Sequence, residues 1–291
     1  LIPFLIIPQI ILSGVLVKFE KLNPNISSPV SIPIYGEMVT ARWGYEALAV
    51  EQFVNNRYEK LFYEYDKRMS EARFKRDYWN SRIKMKLESL KSDLKKGTRN
   101  TDFNDDLNLV RNEIRKEMDI LPSVRFGYID DLLPDKVTAV ALDTALEYIE
   151  TLRKYYVAKY NVANGGKDQL VTRLESEDKQ AFISLRNEYF NNSLEELVTF
   201  RNESQKIIDY KGEIIQKIDP VYMDPGSKCI KAHFYAPFKM FCGLRIETYI
   251  VNVIMIWLMT LVLYLVLYFR VLKLILNSGK KLFRKKLKLP D

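Results

Sequence analysis

A mainly α-helical membrane chain is what this sequence predicts: a polytopic helical membrane protein fragment carrying a large helical extracytoplasmic insertion. Three observations lead there. Residues 249–269 form a run of 21 without Asp, Glu, Lys or Arg. A second uncharged run, residues 1–17, opens the chain. Between them, roughly 200 residues place their apolar side chains at helical rather than alternating spacing. Composition averaged over all 291 residues conceals this, because 47% hydrophobic is ordinary for a soluble protein.

At about 1.5 Å per residue, 21 helical residues cover the ~30 Å hydrocarbon core of a bilayer. A soluble core helix of that length would be polar on at least one face, and this one is apolar all round. Tyr249, Tyr264 and Tyr268 lie near its ends, where amphipathic rings suit the interface, and Arg245 and Arg270 bracket it. Residues 1–17 are expected to be the end of a truncated transmembrane helix, since the chain opens on Leu1 inside an apolar run already under way. A signal peptide would need a basic region ahead of that run and a small-residue cleavage site after it, and neither is visible. Pro3 and Pro8 are tolerable in a membrane helix whose freed carbonyls find other donors.

Charge sets the expected orientation. Residues 270–291 hold eight Lys and Arg against one acid, so the tail carries +7 of the chain's +8. A pI near 9 invites a nucleic-acid reading, but the basic residues form a juxtamembrane cluster, which excludes it. The positive-inside rule puts the tail in the cytoplasm, held to anionic membrane lipids by about 1 kcal/mol per basic residue. The long segment ahead of the last span then faces outward. The expected divisions are 1–17, the truncated span; 18–48, a re-entrant or extracytoplasmic segment; 49–245, a helical extracytoplasmic domain; 249–269, the final span; and 270–291, the basic tail.

Within the outer domain, Tyr58, Phe62, Tyr65, Met69, Ala72, Trp79, Ile83, Leu90 and Leu94 recur at steps of three, four or seven, predicting one long amphipathic helix. Gly97 to Asp102 break it. A second helix runs through Leu107, Val110, Ile114 and Met118, and a third through Leu142, Leu146, Ile149, Leu152 and Tyr156, ended by Asn164, Gly165 and Gly166. A fourth takes in Leu170 to Leu197 with an interruption near Asn191 and Asn192, and Pro220, Pro225 and Gly226 punctuate the return to the membrane. Such stripes predict helices packed on one another. Cys229 and Cys242 either pair, in which case an oxidising compartment adds about 3 kcal/mol of stability, or stay as buried thiols.

Catalytic chemistry is not predicted. No G-x-x-x-x-G-K-[ST] phosphate loop occurs, so no backbone cradle for nucleotide phosphates is present and the chain alone is not expected to act as an enzyme. His233, the single histidine, has no motif-borne nucleophile and reads as a loop side chain, and two cysteines plus one histidine make no metal-ligand spacing. Glu175, Glu177 and Asp178 are commonplace carboxylates at this charge density.

The first fifty residues carry a resemblance. The run IILSGVLVKFEKLNP, followed by IYGEMVTARWGYEALAVEQF, resembles the fifth transmembrane helix and re-entrant segment of bacterial ATP-binding-cassette exporters of the G-type, ABC-2-like subfamily. Ser13 and Gly14 match the Ser-Gly step, and Arg42, Trp43, Gly44, Tyr45, Glu46, Ala47 and Leu48 match the Arg-aromatic-Gly motif. Taken together with the final helix, the resemblance covers about a quarter of the chain. It implies a permease that works as a homodimer in the inner membrane, multi-pass, with the large domain facing the periplasm. It also implies a nucleotide-binding domain, with ATP and Mg2+, upstream or on a partner subunit, and no cofactor in this fragment. The apolar gate implied after the Ser-Gly step falls on Val15 and Leu16, and cavity-facing positions one and two turns earlier fall on Ile10 and Ile7; the alternative is that these side chains face lipid or another helix. The outer segment departs from the family's few tens of residues, which leaves the substrate, hydrophobic or envelope-related, to analogy. A rival expectation is a membrane-anchored helical sensor or scaffold with an outer interaction domain. An envelope-spanning adaptor with a coiled-coil hairpin ranks last, because no long reverse-running partner for residues 58–94 follows directly.

Overall fold

The computed structural model describes residues 2–14, 32–97, 99, 101–227, 229, 231–271 and 273. The described chain is mainly helical, as the spacing predicts. It divides into two compact units: Leu1–Leu48 with Lys228–Lys231 and Phe238–Asp291, and Ala49–Ser227 with Ala232–Pro237. Residues 238–245, grouped by sequence with the helical domain, thus belong with the final helix.

In the first unit, α1 (Ile2–Ile11) is ten residues with Pro8 inside it, and the chain turns at Gly14 with φ +80°. At about 1.5 Å per residue, ten residues reach roughly half-way across a hydrocarbon core. A four-residue turn of helix, α2 (Ile34–Glu37), leads to α3 (Thr40–Val54). Strands β3 (Phe238–Phe241) and β4 (Leu244–Glu247) pair antiparallel, Phe241 opposite Leu244, and run straight into α9 (Thr248–Tyr268). Cys242 and Gly243, at φ +49° and +89°, make the two-residue turn whose twist matches that of paired strands. This corrects the expectation of buried thiols: Cys229 and Cys242 are both exposed, and the backbone of Cys242 serves the hairpin turn.

Helix α9 begins and ends one residue before the predicted span. Among the described residues it is the one helix long and apolar enough to cross a membrane. Its first turn is buried at Thr248, Val251 and Asn252, whereas farther along Trp257 is 72% and Leu267 75% exposed. A soluble core would cover such side chains, and an exposed apolar cylinder needs lipid or a partner around it.

The second unit is built on an antiparallel helical pair. Helix α4 (Glu59–Arg73) passes through a six-residue π-helical segment, Phe74–Trp79, into α5 (Asn80–Lys96), which stops at Gly97 in the left-handed conformation. Helix α6 (Thr101–Ile120) packs on α5, and α7 (Ala139–Tyr189) runs back along α5 and α4. The pairings set its direction: Lys91 with Asp143, Asn80 with the Ile149 carbonyl, Lys159 with Glu71 and Lys167 with Asp66. Phe74, Trp79, Ile83, Leu87 and Leu90 meet Leu107, Val110 and Ile114 of α6 and Leu142, Ile149 and Leu152 of α7 in one core. The π segment adds a residue to the turn and brings Lys75 and Trp79 to two buried carboxylates one helical turn apart on α6. Trp79 donates to Glu113 at 2.7 Å, and Lys75 pairs with Glu117, which also accepts from Tyr156.

Two expectations are corrected here. Asn164, Gly165 and Gly166 do not end a helix; α7 spans 51 residues and its break falls at Asp178, where φ −159° and ψ 95° interrupt it. The Asp178 carboxylate then accepts from the Ala181 N–H and caps the restart. Gly166 is there for proximity: a Cβ on it would sit 2.6 Å from the Tyr65 ring of α4. The long reverse-running partner of residues 58–94 therefore exists, separated from them by α6. Asn191 caps α8 (Asn192–Thr199) by accepting from the Leu194 N–H, at the predicted interruption. A second hairpin, β1 (Ile207–Tyr210) and β2 (Glu213–Gln216), was not legible as strand and turns on Lys211 and Gly212, both at positive φ. His233 bonds the Pro220 carbonyl through Nε2 at 2.8 Å, the structural place its sequence context predicts.

Candidate functional site

The motif on α3 is the centre of a buried ionic cluster in the first unit. Arg42 and Glu46, four residues apart, share one helix face and are both fully buried. Arg42 donates from Nη1 to Glu46 Oε2 at 3.1 Å, from Nη2 to Glu37 at 2.5 Å and from Nε to the Gly36 carbonyl at 3.0 Å. Its guanidinium lies 3.7 Å from the centre of the Trp43 ring, and Trp43 in turn donates to the Glu37 carbonyl at 2.8 Å. The short helix α2 is thereby tied to α3 by a cation and an indole from consecutive residues.

Two residues that the motif did not announce complete the cluster. Lys239 of β3, 2% exposed, donates to Glu46 Oε2 and to Asn252 Oδ1, each at 2.8 Å, and sits 4.4 Å from the Trp43 ring centre. Asn252, in the first turn of α9, gives its amide hydrogens to Glu46 Oε2 at 2.8 Å and to the Trp43 carbonyl at 3.0 Å. One carboxylate oxygen of Glu46 thus takes three donors while Oε1, also buried, takes none. Two acids face two bases, so the cluster is neutral as a whole.

Electrostatics follow from this packing. Burial opposes the charge of Glu46, but Lys239 and Arg42 outweigh it and hold the carboxyl below its ordinary range. For Lys239 burial wins over the attraction of Glu46 and lowers its pKa. Glu37, nearer the surface, is raised by burial despite Arg42. Charges removed from water this way are costly unless paired, and each of the inner ones is paired. The arrangement can lock segments together.

Of the other predicted positions, Gly44 and Tyr45 are half-buried on α3. A Cβ on Gly44 would meet Ile256 of α9 at an ordinary 3.9 Å, so no close approach demands glycine there. Ser13 and Gly14 are buried, and the Ser13 hydroxyl donates to the Ile10 carbonyl at 2.7 Å. Ile7 and Ile10 are about half exposed and are not drawn into the cluster. Val15 and Leu16 lie outside the described residues. Lys239 and Asn252 left a faint signal: a lone cation in the apolar stretch FYAPFKMF, and an amide in a run otherwise nearly free of polar groups. Comparison with protein-family models, with curated proteins and with solved structures finds no match.

Proposed function

We propose that this chain is the permease part of an ATP-driven exporter of a hydrophobic or envelope-related substrate. In this reading it is multi-pass in a bacterial plasma membrane, works as a homodimer and carries its helical unit on the periplasmic side. The observation that supports the reading best is the cluster itself. The Arg-Trp-Gly-Tyr-Glu segment, which carries the family resemblance, is bonded through Glu46, Lys239 and Asn252 to the buried end of an otherwise exposed apolar helix. A re-entrant segment that must follow the last span during alternating access needs such a rigid joint. Nucleotide chemistry belongs to a domain upstream or on a partner subunit, since these residues offer no phosphate loop.

The test is vanadate-sensitive ATPase activity of the full-length protein with its nucleotide-binding partner in nanodiscs. Val15→Asp/Leu16→Asp and deletion of residues 57–220 are expected to change the rate. An intact protein that neither binds nor hydrolyses ATP, alone or with a co-purifying subunit, overturns the exporter. A second reading, a membrane-anchored scaffold or sensor, is favoured by one observation: the described residues contain one helix long and apolar enough to span a membrane, and a large helical unit. It becomes the working model if the ATPase test fails.

A further inference from the structure

The second unit contains a cleft of about 450 Å3 between α4, the far end of α7, α8 and the turn at Pro220–Tyr222. Its size is that of a small-molecule site. Three of the cations lining it are matched: Lys167 with Asp66 at 2.6 Å, Arg73 with Asp219 at 2.6 Å and Arg201 with Glu195 at 2.8 Å. Two more, Arg186 of α7 and Lys206, line the cleft with no acid paired to them among the described residues. Glu59 is the one remaining acid of the lining, so five cations face four acids. Burial, helped by Asp66 and Glu195, pushes the Glu59 carboxyl up to about 7, so in mildly acidic solution its charge is gone and the positive surplus doubles.

The two surplus cations keep donors to spare. Arg186 lies 5.5 Å from the Phe190 ring centre, a contact that takes up none of its N–H donors with an acceptor. The half-buried Lys206 gives one N–H to the Arg201 carbonyl at 2.9 Å, which leaves the rest of its ammonium for another oxygen. Burial raises the Tyr58 hydroxyl, and Arg186 is the strongest of the charged neighbours acting on it, in the opposite direction, so the guanidinium's charge is felt at this wall of the cleft. Tyr58 and Phe190 pack edge to face with ring centres 5.8 Å apart, which gives a flat apolar body a surface beside Arg186. A guanidinium and an ammonium with free donors fit the oxygens of a carboxylate or phosphate, and an arginine can take two of them at once.

We infer that this cleft binds a small organic oxyanion, a carboxylate or a phosphate ester, with Arg186 and Lys206 as its counter-ions and the Tyr58–Phe190 pair as the wall for its apolar body. Such a ligand supplies the negative charge that the lining lacks and accepts from donors that the protein leaves unused. The inference holds under either functional reading, because it rests on the second unit alone.

The test is titration calorimetry on the full chain in maltoside detergent at about pH 6, below the Glu59 midpoint, with about 150 mM NaCl to screen long-range attraction. The probes are benzoate and phenyl phosphate, with benzamide and benzyl alcohol as uncharged counterparts and inorganic phosphate as an anion without a body. At least one of the two organic anions is expected to bind saturably and about tenfold or more tighter than its uncharged counterpart and than inorganic phosphate, and the tighter of the two assigns the headgroup. Arg186→Gln and Lys206→Gln are each expected to weaken it several-fold, and the double variant about tenfold or more, with the helical circular-dichroism signal retained. Lys95→Gln, an exposed charge outside the cleft, is expected to leave the affinity unchanged. Should one cleft variant fail to fold, the other carries the same comparison. Saturable binding by neither organic anion, equal binding by the uncharged counterparts or by inorganic phosphate, affinity untouched by the cleft substitutions, or an equal loss in Lys95→Gln would each overturn the site.

Discussion

Lys239 is a cation on a strand with 2% of its surface exposed, and its whole reason for charge is Glu46. Replacing it by Met leaves the Glu46 carboxylate buried with one fewer partner, which should cost about 3–5 kcal/mol. The double variant Glu46→Gln/Lys239→Met removes charge of both signs and is expected to recover part of that loss, readable as a double-mutant cycle of thermal melts. Glu59 gives a prediction of opposite sense. Its folded pKa, about 7, is above the unfolded value, so the folded chain holds a proton that the unfolded chain releases, and stability falls as pH rises from about 4.5 to 7. Desolvation, Asp66 and Glu195 drive this, Lys167 opposes it, and no other charged group ranks beside them. Glu59→Gln should therefore melt higher than the parent by about 2–6 °C at pH 8 and show almost no gain at pH 5.

At the scale of elements, the two adjacent glycines of α7 make a paired experiment. Gly165 has open space around its Cα, so Gly165→Ala should stabilise the helix by up to about 1 kcal/mol. Gly166→Ala gains the same helix propensity but drives a methyl into the Tyr65 ring, and it is expected to melt lower than Gly165→Ala and no higher than the parent. The contrast also explains what periodicity could and could not convey. Amphipathic spacing was enough for the buried faces of α4, α5, α6 and the first half of α7, because burial of Ile83, Leu107 and Leu142 is a property of single residues on a stripe. A glycine pair reads as a stop in isolation, and only the ring of Tyr65 from another helix turns it into a contact. Asp178, the real break, is one of many carboxylates on a charged face. The hairpins on Lys211-Gly212 and Cys242-Gly243 are short strands whose turns carry a single glycine each, too little to outweigh helical neighbours. Half of the ionic cluster was visible as a motif on α3; the other half arrives from β3 and α9, about 200 residues away, and no local pattern links them.

For the molecule as a whole, topology is the property that a single labelling experiment can read. Cys242 is an exposed thiol at the tip of the β3–β4 turn, immediately before α9. If the basic tail is cytoplasmic, a membrane-impermeant maleimide should label Cys242 in intact spheroplasts of a Cys229→Ser background. A thiol placed in the tail by Ser278→Cys, with both native cysteines replaced, should react only after permeabilisation. The reverse pattern would invert the orientation and remove the periplasmic placement of the helical unit. Within the first unit, the hold of Asn252 on α9 has a mechanical meaning. Its amide grips a carboxylate, an ammonium and a backbone carbonyl at once, in the first turn of a helix that is otherwise smooth and apolar. Such a rod is keyed at one end: spinning by even one residue, about 100°, would pull all of those bonds apart, whereas leaning as a rigid lever leaves them whole. Force reaching the far end of α9 is therefore passed to α3 as tilt and not as twist.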